Sequence, residues 1–162
     1  MAGAGGRIAR FAFVTAPDWI LGTLMLAGVA LVFANVVGRY AFGQAIFWAE
    51  EVLVFLVVWS VFVGMGAIAY QGAHLNMDLF SAQFRGRWRL FLNGVTTAAL
   101  LATCIFMIVQ SYQVVLLMAQ SGQRSLALGV PKVIPHAALL VGFVLTVLAV
   151  IVRIRSYLTG KF

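Results

Sequence analysis

Four long runs contain no Asp, Glu, Lys or Arg: Trp19–Gly38 with 20 residues, Val52–Ala73 with 22, Leu90–Gln123 with 34 and Val133–Val152 with 20. Each reaches the ~20 residues that carry an α-helix across the hydrocarbon core of a bilayer. Strands of a membrane barrel would instead be ~10 residues of strict alternation. The chain is 64% hydrophobic and only 9% charged, far from the ~45–50% apolar share of a soluble domain. These runs predict an all-α integral membrane protein with four transmembrane helices, over about 17–39, 48–73, 88–120 and 131–157, in a single membrane domain spanning 1–162.

A net charge of +7 would suit a nucleic-acid binder, but in a membrane chain basic residues are distributed by topology. Arg7, Arg10, Arg85, Arg87, Arg89, Arg153, Arg155 and Lys161 fall at the two termini and in the middle loop, against Arg39, Arg124 and Lys132 in the other two loops. Eight against three predicts cytoplasmic N- and C-termini and a cytoplasmic middle loop, and makes nucleic acid an improbable partner. The first apolar run exceeds the ~7–15 residues of a signal-peptide core, so helix 1 is expected to stay in the mature protein. Cys104 is the single cysteine and is expected to pack as a small apolar residue.

In the middle loop, Met77, Phe80, Phe84, Trp88 and Phe91 recur at helical spacing while Arg85, Arg87 and Arg89 carry charge. An amphipathic segment over about 77–89 is expected to lie among the headgroups, with Trp88 and the three arginines as interfacial anchors. Helix 3 exceeds what a bilayer requires and turns polar at Gln110, Gln113 and Gln120, which places its end beyond the hydrocarbon. Two rows of small residues, Ala30/Ala34/Gly38 and Gly94/Ala98/Ala102, are candidate helix-packing faces or mere composition.

The stretch Trp48-Ala-Glu50-Glu51 places two of the chain's four acids side by side in the first turn of helix 2. There the unpaired N–H groups and helix dipole stabilise an anion, which explains one glutamate. The second points ~100° away. Arg39 is the natural ion-pair partner for one of them, with Asn35 one turn earlier able to join the cluster. A capping and topology cluster and a subunit-docking cluster both fit.

No catalytic arrangement, phosphate loop or metal-ligand spacing is present. His74 and His136 fall at opposite sides of the membrane under the charge-based topology and cannot share a haem. No cofactor is expected, and no enzyme activity. No acid lies deep in any span, as a self-sufficient proton-driven exporter requires. A small homo-oligomeric transporter and a redox-complex anchor stay as the alternative readings.

Asn35-Val-Val-Gly-Arg39-Tyr40, Trp48-Ala-Glu50-Glu51, Trp59 with Gly64, His74-Leu-Asn-Met-Asp78 and Leu126-Ala-Leu-Gly-Val-Pro131 together resemble the small membrane subunit of tripartite ATP-independent periplasmic (TRAP) transporters. The resemblance implies an accessory scaffold in the bacterial inner membrane. It implies a stable complex with a large permease subunit, and transient contact with a periplasmic substrate-binding protein. The implied activity is sodium-coupled uptake of an organic anion. Asn35, Arg39, Trp48, Glu50, Glu51, His74 and Asp78 become the candidate interface or structural cluster. In helix 4 the chain departs from the family pattern, reading Lys132-Val133 and Leu140-Val141-Gly142 where the family often carries an aromatic and a second proline.

Overall fold

The computed structural model describes residues 11–72 and 87–159. It is helical, with four helices long and apolar enough to cross a membrane. Helix α1 runs Ala16–Ala41, continued at its start by a π-helical turn, Phe11–Thr15. That wide turn precedes Pro17, which has no N–H to give the carbonyl four residues back. Helix α2 spans Ala49–Gln71, α3 Arg87–Ser121 and α4 Val133–Val152, and a short α5, Ile154–Thr159, follows. The expected single helix over 131–157 is therefore two. It starts at Val133, after Pro131 has closed the preceding loop, and breaks at Arg153, the one residue between α4 and α5.

The helices form an open row in the order α1, α2, α4, α3, each packed on its neighbour. Apolar transfer cannot drive helices together inside lipid, so close approach at small residues has to. The central seam shows this. A Cβ on Gly66 would stand 2.8 Å from the Cβ of Leu145, and one on Gly142 would stand 2.7 Å from the Cβ and carbonyl oxygen of Phe62. Ala67, Ala69, Ala138, Ala149 and Val150 are buried around the same region.

The α3–α4 seam is different. Asn93, Thr97, Cys104 and Ser111 are its buried residues, at intervals of four and seven that keep them on one helix face. Cys104 packs there as a small buried side chain. Thr97 returns its hydroxyl to the carbonyl of Asn93, and Thr146 of α4 does the same to Gly142, so these buried hydroxyls are satisfied within their own helices. Of the two rows of small residues, Ala30, Ala34, Ala98 and Ala102 are exposed. Neither row is a seam within this chain, because α1 and α3 are the two edges of the layer. Gln110, Gln113 and Gln120 are exposed along the C-terminal part of α3.

Candidate functional site

Both ends of the row are closed by polar side chains that reach backbone groups of other elements. At one end lie the two loops joining α1 to α2 and α3 to α4. Asn35 Oδ1 accepts the Ile46 N–H at 2.7 Å. One turn on, the Gly38 carbonyl accepts the N–H groups of Phe42 and Gln44. A Cβ at Gly38 would meet the Gln44 carbonyl oxygen at 2.8 Å, so glycine is required where the loop folds back. The Asn35-Val-Val-Gly stretch is thus a lock on the first loop. Asn35 accepts from that loop and does not join Arg39.

The second loop, 122–132, is hairpin-like. Ser125 N donates to Val130 O at 2.8 Å and Lys132 N to Gln123 O at 3.0 Å. Gly122 and Gly129 supply the left-handed conformations at φ +60° and +68°. Arg124 Nη1 donates to Gly129 O at 3.3 Å. The loop is tied to α2 by Glu51, whose Oε2 accepts the N–H groups of Ala127 at 3.1 Å and Leu128 at 3.0 Å. Ser125 is buried beneath. Its hydroxyl has no hydrogen-bond partner among the described residues.

This arrangement separates the two glutamates. Glu51 is half-buried and holds the Leu126–Pro131 stretch, while Glu50 is exposed. The ion pair expected between Arg39 and a glutamate is not formed among the described residues. Glu51 is turned to the loop amides, and Arg39 stands exposed in the last turn of α1, where the negative helix end already favours a cation. Trp48 precedes α2 and is 37% exposed. With Glu51 holding its neighbours, Leu126 projects completely into the surroundings.

At the opposite end, three side chains donate to carbonyls in the last turns of helices, one of which, Ala69 O, also accepts the Gly72 N–H at 3.1 Å. Helix α2 ends at Gly72, φ +74°. Tyr157 Oη donates to Ala69 O at 2.6 Å and Arg153 Nη1 to Tyr70 O at 3.0 Å. Arg153 also lies over the Tyr70 ring, 5.1 Å from its centre, and that ring stacks on Phe13 at 5.2 Å. Asn93 Nδ2 donates to Leu158 O at 3.2 Å. Burial pushes the Tyr157 phenol above its ordinary pKa, against a smaller opposing effect of Arg153, so it remains a donor at neutral pH.

These contacts were absent from the sequence-based candidates. A signal existed: Arg153 and Tyr157 are four residues apart, which places them on one helical face at the first charge beyond an apolar run. Of the remaining candidates, His74, Asp78 and Arg85 lie outside the described residues. Arg87, Trp88 and Arg89 open α3, and Trp88 is exposed with its ring edge-on to Phe91 at 6.3 Å. His136 Nδ1 meets the Lys132 carbonyl at 2.7 Å, a contact that requires the proton on that nitrogen. Among the described residues no group of three or more His, Cys, Asp or Glu could hold a metal.

A family profile described as tripartite ATP-independent periplasmic transporters, DctQ component, matches residues 28–160. The chain is 30% identical over 126 residues to the ectoine TRAP transporter small permease protein TeaB of Halomonas elongata, an alignment covering 78% of this chain and 64% of TeaB. It is 32% identical over 95 residues to the C4-dicarboxylate TRAP transporter small permease protein DctQ of Vibrio cholerae, covering 59% of this chain and 41% of that one. The chain thus spans less than two thirds of the length of either relative.

Proposed function

The chain belongs to the family of DctQ components of tripartite ATP-independent periplasmic transporters, and from that premise we propose that it is the accessory small permease subunit of such a transporter, a scaffold for a large permease subunit. The observation that carries this reading is the open row of helices. Large apolar side chains stand exposed on all four long helices, and α1 buries little beyond Pro17 and Gly28. Secondary transporters bind ions and substrate near the midplane on broken helices and buried polar groups. Here the one break among the described residues, at Arg153, lies at the end of α4.

The substrate and sodium sites then belong to the large subunit, and a periplasmic binding protein delivers an organic anion to it. Two relatives named for different solutes, ectoine and C4-dicarboxylates, are consistent with selectivity lying outside this subunit. Both termini lie in the cytoplasm, and Trp88 with Arg85, Arg87 and Arg89 anchors the middle segment at the inner headgroups.

The test is a pull-down of the full chain in mild detergent, followed by reconstitution. The expected result is a multi-span permease in near-equal amount, with solute uptake in liposomes only when that permease and a binding protein are present. Substrate-specific uptake by this chain alone would overturn the proposal.

A further inference from the structure

Helices α1 and α2 enclose an open apolar groove of about 700 Å³, lined among others by Leu24, Gly28, Val32, Leu53, Val57 and Val61. Pockets that hold small organic ligands run about 300–1,000 Å³. What distinguishes this groove from the rest of the apolar surface is its outer mouth. Arg39 follows Val32 by seven residues, and Glu50 precedes Val57 by seven, so each continues the lining stripe of its own helix two turns on. Both are exposed, and no ion pair joins them to each other or to another described residue.

Their helix ends explain how two opposite charges stand near one mouth without pairing. Arg39 lies in the last turn of α1 and Glu50 in the first turn of α2, and each is the charge its helix end favours. Tyr40, Phe42, Phe47 and Trp48 are exposed beside them, the residue types of a headgroup belt. From Arg39 to Gly28 is roughly 16 Å at 1.5 Å per residue, close to half of the ~30 Å hydrocarbon core. The part of the groove from Gly28 to its mouth therefore matches one leaflet in depth, apolar along its walls and carrying one cation and one anion at headgroup level, while Leu21, Leu24 and Met25 continue the apolar lining beyond it.

We propose that this groove binds one zwitterionic phospholipid, with its tail against Gly28 and Val32, its phosphate on Arg39 and its primary ammonium on Glu50. A lipid carrying only negative charge satisfies Arg39 and is repelled by Glu50. A trimethylated headgroup keeps the charge and loses the N–H donors that a carboxylate accepts. The site thus prefers phosphatidylethanolamine to phosphatidylglycerol and to phosphatidylcholine.

Native mass spectrometry of the full chain, with any subunit that accompanies it, tests this after extraction in mild detergent and add-back of each of the three lipids. One retained phosphatidylethanolamine per chain is expected. Arg39→Gln and Glu50→Gln should each weaken its retention by about tenfold, the scale of losing one hydrogen bond to a charged group. Val57→Trp, filling the groove, should abolish retention, and Val109→Trp on exposed α3 should not. A photo-crosslinking residue at position 57 gives an independent readout, with a lipid adduct expected. No retained lipid, equal retention of all three lipids with insensitivity to both charge variants, or a crosslink to a polypeptide would each overturn the proposal.

Discussion

Replacing Gly142 with alanine sets a methyl carbon 2.7 Å from the Cβ and carbonyl oxygen of Phe62. Carbon contacts are comfortable at about 3.5 Å and beyond, so α2 and α4 must separate locally by roughly 0.8 Å. Rotating the Phe62 ring does not relieve this, because a backbone oxygen is one of the clashing atoms. Overpacking of this kind costs about 1–3 kcal/mol, and the better helix propensity of alanine offsets up to about 1 kcal/mol. A net loss of up to about 2 kcal/mol relative to wild type follows, and of about 1–3 kcal/mol relative to an alanine that gains the propensity without the clash. At about 2–4 °C per kcal/mol for a chain of this size, the Tm should fall by up to about 8 °C from wild type and lie about 2–12 °C below that of the clash-free alanine. Gly22 is the control: a Cβ there meets nothing within 4 Å, so Gly22→Ala keeps only the propensity gain. Thermal unfolding of both variants in one detergent, followed by circular dichroism, gives the comparison. A Gly142→Ala variant as stable as Gly22→Ala would refute the argument that glycine is needed for the approach of α2 to α4.

Tyr157→Phe removes the 2.6 Å donor from the Ala69 carbonyl, which keeps the Gly72 N–H, and should lower stability by about 0.5–1.5 kcal/mol, read in the same unfolding assay. Glu51→Gln keeps the size of the side chain but removes its charge from the Ala127 and Leu128 amides. Amide exchange at those two positions should accelerate while exchange near Arg153 stays unchanged, and equal protection in both proteins would remove the tie. Asn35→Ala frees the Ile46 N–H, so limited proteolysis should cut within 42–47 sooner than in wild type.

The four spans were legible because length and composition are one-dimensional signals, and nothing tertiary is needed to read them. The seams were not, because a small residue in an apolar run looks the same whether it faces a helix or lipid. The rows containing Ala30, Ala34, Ala98 and Ala102 fit a packing face and mere composition equally well, and these alanines are exposed, whereas Gly66 and Gly142 carry the close approach. The second glutamate was recognised as unexplained, but its partners are backbone amides 76 and 77 residues away. Residue types cannot announce a backbone partner. The same blindness hid Asn35 on Ile46, Tyr157 on Ala69 and Arg153 on Tyr70. An ion pair of Arg39 with a glutamate was the natural guess because opposite charges are visible in a sequence and loop amides are not.

These bonds also explain how an open row holds its shape. A closed bundle gives every helix two neighbours or more, whereas α1 and α3 each have one long neighbour here, and lipid offers no hydrophobic penalty for their leaving. The first hairpin is joined to the second at the seam of Gly66 and Gly142, at one end by Glu51 and at the other by Tyr157 and Arg153. A seam in the middle permits pivoting, and clamps at both ends oppose it. Water competes for such bonds at the membrane surface, yet the buried Tyr157 and half-buried Glu51 are shielded from much of that competition. A layer braced in this way resists bending while leaving its broad faces uncovered, the mechanical property a fixed support must have if a larger partner moves against it.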